Sequence, residues 1–494
     1  AMALRVGDEE EAVALVEACG HRLDPRDSSD RPEGGDEWSL ILTFRRPLGQ
    51  EEDLPLPAAF DGREGEVVLL DARGLFAFEP NIGRESMGDF SWESSVLKQL
   101  DSKHLTPALP LPADFWFAKE NDRLVVPFNL PLDLRGDRRS GVPRLATLVA
   151  LDLPDQPLDM PSLSLGSTPK ASVAWTTQTA SPDPSTAFGP PLIAGSRVFV
   201  QQFRTAETTE VSLLCFDEET GEFIFETPIV RGAHVRRFSS RLDDLNLRAI
   251  DKRGRDGVPA EKDGVIFVCT GFGAVAAVDG WTGQLLHVFQ YDRLFPVDVG
   301  VYDAAYLFDR EPSGWEGEPV RLWNDRLIVA PSDSRYLYVL GQTLGQRGHV
   351  ILDDPIEKLD RLHVVGLLSD PKGSSSPAVL ASRRRDGRVG LVLLGSDGHV
   401  LETGRFLPED DYPVGWPWAS RPVMVESDVF IPTFQGVRLV DVDDLTAEPV
   451  LLGGGPEGVP PYVAELRALR NGLVGLSPFV SSGDLVVRYW ERTP

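Results

Sequence analysis

The chain has 494 residues, 42% of them hydrophobic, with 49 basic against 76 acidic side chains and a formal charge of −27. That charge excludes a nucleic-acid binder working by phosphate neutralisation and disfavours an anionic membrane surface. No run approaches the roughly 18–20 apolar residues that span a bilayer, so the reading is a soluble chain with an ordinary core.

In chain order, Ala1 ahead of Met2 reads as the remnant of a cleaved expression tag, with no signal peptide after it. Glu9–Leu23 has an acidic start, helical apolar spacing and Gly20 near its end, which predicts a short helix. Residues 24–35 form a charged linker, so residues 1–35 stand apart from one large domain over 36–494. Trp38–Phe44 is a predicted strand, placed to pair with the last unit of the chain and hide an edge. A sheet unit then recurs over Glu64–Trp92, Ala113–Gly166, Val198–Thr227, Val265–Tyr291, Arg321–Asp353, His363–Leu407, Val423–Gly454 and Val463–Arg492. The second unit carries the basic insertion Arg135–Arg139, and polar excursions at Arg231–Lys262 and Phe295–Pro319 separate sharper copies. Long loops on a repeated scaffold are where binding groups tend to sit.

The sharpest unit holds three apolar runs, Val265–Cys269, Ala274–Val278 and Leu285–Phe289, and continuous apolarity predicts strands covered on both faces. Its second turn has a mechanism: Asp279 can accept from backbone N–H groups two and three residues on, and Gly283 can take positive φ. Asp217, Thr220 and Gly221 repeat the arrangement of Asp279, Thr282 and Gly283, and Asp217, Asp279 and Gly341 recur at a spacing of 62 residues. Sheets with apolar faces must stack on neighbours, and radial stacking leaves only short, protected edges.

The pattern Ala-x-Asp-x-x-Thr-Gly followed by an aromatic, seen at Ala277, Asp279, Thr282 and Gly283, resembles the pyrroloquinoline-quinone-like (PQQ-like) propeller repeat. That repeat occurs in quinoprotein alcohol dehydrogenases and in the propeller subunit of the outer-membrane β-barrel assembly machinery. The resemblance implies an all-β, eight-bladed β-propeller of four-stranded antiparallel blades, with seven blades the alternative. It implies a bacterial cell envelope or periplasm if a leader precedes Met2, and the cytoplasm otherwise. The tryptophan that usually closes the repeat is replaced by Phe225 in one copy and His287 in another, so His287 is expected in the core.

Chemistry leaves few traces. An active quinoprotein would need adjacent cysteines and a Glu/Asn/Asp calcium set; neither is found on matching positions, so no bound cofactor or metal is expected. Cys215 and Cys269 lie in apolar strands and read as small core residues, a bridge between them being the alternative; Cys19 is remote. The seven histidines form no short-spaced ligand pair, and Asp441, Asp443 and Asp444 lack the glycine and distal glutamate of a calcium loop, leaving Asp443 as a turn cap. Gly-x-Ser-x-Gly is absent, Gly373–Ser376 reads as a turn, and Asp243/Asp244 and Asp410/Asp411 are uninformative in so acidic a chain. Arg383–Arg385 and Arg236–Arg237 read as solvated loops, and Phe115–Phe117 as core. The candidate interaction surface is Tyr412, Trp416 and Trp418, aromatics in a Pro/Gly-rich segment of the kind that anchors protein or sugar contacts, the alternative being a wedge between blades. The resulting expectation is a non-catalytic scaffold that docks protein partners, with a central-channel enzyme, oxidoreductase or carbohydrate-active, as the alternative.

Overall fold

The computed structural model describes residues 22–23, 38–47, 58–62, 66–70, 74–80, 84–92, 95–96, 106–107, 117–129, 147–154, 171–178, 186–205, 208–233, 257–292, 319–331, 334, 336–351, 361–369, 377–385, 388–395, 399–408, 411, 421–452, 461–479 and 484–492. Their strands pair into eight separate antiparallel sheets. Sequential strands lie side by side in blades 1 and 3 to 7, as in blade 4, where Ala260–Lys262, Val265–Cys269, Ala274–Asp279 and Leu285–Gln290 follow one another. The first strands touch one another from blade to blade: Glu465–Leu469 meets both Ala58–Asp61 and Val423–Val425, which in turn meets Arg361–Ser369. First strands therefore lie inside and last strands outside.

Eight apolar clusters fill the eight blade interfaces. Blade 3 meets blade 4 through Phe199, Leu213, Cys215, Ile266, Val268 and Val278. Blade 8 meets blade 1 through Val474, Leu476, Leu485, Val487, Val67 and Phe76. Each fully buried Val, Leu or Phe side chain contributes roughly 1.5–3 kcal/mol, and here most bury against the neighbouring blade. The chain is a closed eight-bladed propeller.

Closure follows the expected route. Trp38–Pro47 pairs antiparallel with Asp484–Arg492 and completes blade 8, whose inner strands are Glu465–Leu469 and Gly472–Phe479. Trp38 is buried edge-on to Phe430 of blade 7, at 4.7 Å between centroids, and its indole N–H donates to the Asp428 carboxylate at 3.1 Å. Arg22 and Leu23, the end of the expected helix, instead form a short strand opposite Arg45 and Phe44. The open edge of Trp38–Pro47 offers unpaired backbone groups, and that tertiary opportunity overrides helix propensity. The rest of that helix lies outside the described residues.

The expected units were too short at their ends. The inner strands Ala58–Asp61, Thr186–Ala194 and Ala260–Lys262, and the outer strand Ser172–Gln178 of blade 2, fall beyond them. Ala260–Lys262 reads Ala-Glu-Lys, and Thr186–Ala194 contains Pro190 and Pro191 with a register shift beside them, so neither shows a strand pattern in sequence.

Candidate functional site

The repeat turns have the expected construction. One oxygen of Asp279 accepts from the Trp281 and Thr282 amides at 3.0 and 2.7 Å and from the Thr282 hydroxyl at 2.9 Å. Asp217 does the same with Glu219, at 3.1 Å, and with Thr220, at 2.8 and 2.9 Å. Hydrogen bonds from Thr282 and Thr220, amide first, hold the two carboxyls below the ordinary aspartate range. Gly221 and Gly283 close the turns at φ +70 and +74. Within each blade this turn is clipped to the inner hairpin, by the Gly280 amide on the Gly264 carbonyl at 2.8 Å and the Glu218 amide on the Ser196 carbonyl at 3.1 Å.

Each such turn is also latched by the preceding blade. Arg197, at the foot of the second strand of blade 3, donates to the carbonyls of Gly280 and Trp281 at 2.7 and 2.8 Å, and its guanidinium lies 4.2 Å over the Trp281 ring. In blade 2 the equivalent Arg123 donates to the Glu218 carbonyl at 2.9 Å, which also accepts from Trp175 Nε1 at 2.8 Å. The second latch is aromatic. A Cβ placed on Gly221 would sit 2.5 Å from the Trp175 ring, and one on Gly283 would sit 2.6 Å from the Phe225 ring. Each turn glycine is thus the floor on which the previous blade's aromatic rests. Thr227 adds its hydroxyl to the Gly283 carbonyl at 2.6 Å.

Both latches fail between blades 4 and 5. Trp175, Phe225 and His287 occupy one register, opposite Ala150, Cys215 and Ala277. The position of Arg123 and Arg197, opposite Asp152 and Asp217, falls in blade 4 on Val265, opposite Asp279. The fifth blade's turn is one residue shorter, with the Leu344 amide on the Gly341 carbonyl at 2.8 Å. Leu344 takes the positive φ, +56, and its side chain is buried in the seam. No glycine floor awaits His287, which is exposed and not a core histidine. Every residue of the strand Leu285–Gln290 except Phe289 is exposed with it, so continuous apolarity here did not mean cover on both faces.

Exposed apolar side chains are concentrated on these two blades. Of nine large hydrophobic side chains exposed among the described residues, six are on the outer strands and turn of blades 3 and 4: Phe223 and Ile224 on blade 3, and Trp281, Leu285, Leu286 and Val288 on blade 4. Trp281 is 67% exposed and Phe223 54%. The Arg197 and Gly283 contacts join the two blades beneath the corner into one rigid support. Sequence reasoning named His287 and Phe225 but missed the patch; the available signals were Val265 in the arginine position and the shortened turn at Leu344.

The other expected residues fare differently. Tyr412, Trp416 and Trp418 lie outside the described residues, as do the Gly373–Ser376 loop, Arg236–Arg237 and the acidic pair Asp243/Asp244. Asp411 is fully buried and grips Arg438 through two hydrogen bonds, at 3.0 and 3.3 Å. Asp443 is not the cap in its turn. Asp441 accepts from the Asp443 amide at 2.9 Å, and Asp444 accepts from the Thr446 hydroxyl and amide at 2.7 and 3.1 Å. Arg383–Arg385 belong to the strand Pro377–Arg385, not to a loop. Cys215 and Cys269 are buried free thiols, not a bridge, and burial pushes Cys215 up to about 11. In the closing blade, Arg488 is fully buried and donates to the Ser477 hydroxyl and the Tyr462 carbonyl at 2.8 and 3.1 Å, while Glu465 pairs with Arg467 at 2.7 Å.

The described residues hold no cluster of three or more His, Cys, Asp or Glu side chains able to ligate a metal. The cleft between blades 1 and 2, lined by Gly62, Glu66, Lys119 and Asp122, has a volume of about 10 Å³, room for one water.

Comparison with protein-family models finds no match, and neither does a search of curated proteins. Among solved structures the chain is similar to BamB from Moraxella catarrhalis, at 14% identity and a TM-score of 0.47 over 92% of this chain and 97% of that one. It is similar to a europium-containing methanol dehydrogenase at 10% identity and a TM-score of 0.49, over 92% of this chain and 93% of that one. The computationally designed Ika8 protein gives 12% identity and a TM-score of 0.46, over 90% of this chain and 97% of that one. These likenesses concern the fold alone.

Proposed function

We propose that the chain is a non-catalytic interaction module that docks a partner protein on the outer corner of blades 3 and 4. The observation that carries this reading is the concentration of exposed Phe223, Ile224, Trp281, Leu285, Leu286 and Val288 on one rigid two-blade support. Scattered surface apolar residues need no explanation, but six on two adjoining blades, one of them a tryptophan, have the composition of a binding surface. Trp281 is already ordered by Arg197, so little side-chain entropy remains to be lost when a partner covers it.

The test is site-specific photo-crosslinking in the source cells from position 286, with position 402 on the outer strand of blade 6 as control. The reading expects one dominant protein adduct at 286, absent at 402 and lost when Val288→Glu is added. Equal adduct patterns at both positions, or an adduct indifferent to Val288→Glu, would refute it.

A further inference from the structure

Resting on the docking reading, we infer that the partner binds as an added β-strand, an extended basic and apolar segment paired along the outer edge of Leu285–Gln290. Among the described residues this strand pairs only with Ala274–Asp279, so the backbone groups on its other side have no strand neighbour. Propellers tolerate such edges by protecting them, and several of the other outer strands show how; the outer strand Ser172–Gln178 of blade 2, also without proline or charge, carries Ser, Thr, Thr and Gln instead. Blade 3 has Pro228 in its edge strand; blade 6 has Glu402 and Arg405; blade 7 has only the three residues Val450–Leu452; blade 8 is covered by Arg22–Leu23. Leu285–Gln290 reads Leu-Leu-His-Val-Phe-Gln, with no proline, no formal charge and no cover. The register shift between Ala277 and Val278 leaves Leu286 in a bulge, so the regular part of this edge is His287–Gln290, and an apolar, unpaired edge is a template for strand addition.

Charge selects the occupant. The turn end carries exposed Glu219 and Glu222, and the far end exposed Asp292 on blade 4 and Arg231 on blade 3, whose Nε donates to the Thr208 hydroxyl at 2.9 Å. Arg197, beneath Trp281, is committed to the Gly280 and Trp281 carbonyls and the Trp281 ring. A second copy of this chain, paired antiparallel, would bring Glu219 and Glu222 of one against Asp292 of the other, with two bodies of charge −27 behind them. A strand with alternating aliphatic residues and flanking Lys or Arg meets both the apolar surface and its acidic border.

The probe is a synthetic decapeptide alternating Val and Lys, compared with its Val/Glu analogue and with a Val/Lys peptide N-methylated at every second residue. Fluorescence anisotropy on the full chain should show the basic peptide binding at least tenfold more tightly than either control, because two or three lost backbone hydrogen bonds suffice for that factor. Binding should weaken with salt, and hydrogen exchange at 285–290 should slow on addition of peptide. Val288→Lys, at a 41% exposed site that leaves the core intact, should abolish binding. Undiminished binding of the N-methylated peptide would overturn strand addition while leaving a docking corner. No peptide binding alongside a specific adduct at 286 would do the same. Micromolar self-association that Val288→Lys abolishes would assign the edge to a second copy and also overturn the inference. Failure of the crosslinking test with peptide binding intact would overturn the native-partner reading instead.

Discussion

If the turn glycines are the floor for the preceding blade's aromatic, two glycine-to-alanine substitutions in blade 4 should differ sharply. Gly264 and Gly283 both have left-handed backbone, at φ +79 and +74, so alanine costs roughly 1–2 kcal/mol at either position from conformation alone. At Gly264 the new methyl meets nothing within 4 Å, and the conformational term is the whole cost. At Gly283 it would sit 2.6, 2.7 and 3.0 Å from three atoms of the Phe225 ring, closer than real Cβ contacts come. The ring must swing off the turn, which also strains the 2.6 Å hydrogen bond from Thr227. Overpacking of this kind costs about 1–3 kcal/mol, so Gly283→Ala should destabilise by about 2–5 kcal/mol in total. The assay is equilibrium urea unfolding followed by near-ultraviolet circular dichroism and intrinsic fluorescence, comparing midpoints at constant slope. Gly221→Ala, whose methyl would meet the Trp175 ring at 2.5 Å, should behave like Gly283→Ala. Equal losses for Gly283→Ala and Gly264→Ala would show that the aromatic is a bystander, and the account of the broken latch at His287 would fall with it.

Arg197→Lys should be nearly as destabilising as Arg197→Ala, because a single ammonium cannot span the Gly280 and Trp281 carbonyls while lying over the indole; thermal unfolding and a red-shifted tryptophan emission would report it, and full rescue by lysine would refute the latch. The carboxyls of Asp217 and Asp279 should titrate below 3.8 by carbon NMR, each moving up when its threonine is replaced by valine. Because the folded value is depressed, their stabilisation is complete above 3.8 and is lost as pH falls through the folded value, so the Thr→Val variants should show a shallower acid limb. Cys215, raised from 9.0 to about 11 by burial, should ignore a thiol reagent at pH 8 in a Cys19→Ser background and react at once in denaturant. The unfolded thiol ionises first, so native stability should decline between pH 9 and about 11, and decline less in Cys215→Ala.

The features legible in the sequence were those with a local cause. The Asp-x-x-Thr-Gly turn is a self-contained hydrogen-bond system, so Asp279 and Gly283 announce it without knowledge of any neighbour. The apolar runs Val265–Cys269 and Ala274–Val278 are buried because they are second and third strands, flanked on both sides within their own sheet. What could not be read is what depends on the adjoining blade. Leu285–Phe289 has the same composition as those runs, but lies outermost, and its cover would have to come from a latch that is missing. Asp411 looked like one acidic residue among many; only a fold that brings Arg438 to it, with the Phe434 amide 2.9 Å from its carbonyl, separates it from the rest. Arg22–Leu23 carried helical spacing and became strand because the closing blade offered an edge.

That distinction bears on where function should be sought in a repeat protein. In blades 2 and 3 the arginine, the aromatic and the following glycine are three residues in two blades that satisfy one another, and none is free to do anything else. Between blades 4 and 5 all three change together: Val265 for the arginine, His287 for the aromatic, and the short turn with Leu344 for the glycine. Loss of one alone would leave a cavity or an unmet carbonyl. The joint replacement leaves a well-packed inner seam, with Leu344 and Tyr338 buried, Phe289 edge-on to Tyr338 at 5.1 Å, and an outer strand released from packing duty. A seam that keeps its core while giving up its latch leaves His287 exposed on the face toward blade 5, while Leu285 and Val288, opposite Val278 and Ala276, stand on the face toward blade 3. The departure from the repeat, rather than the repeat itself, therefore lies at the strand to which the proposed docking assigns a partner.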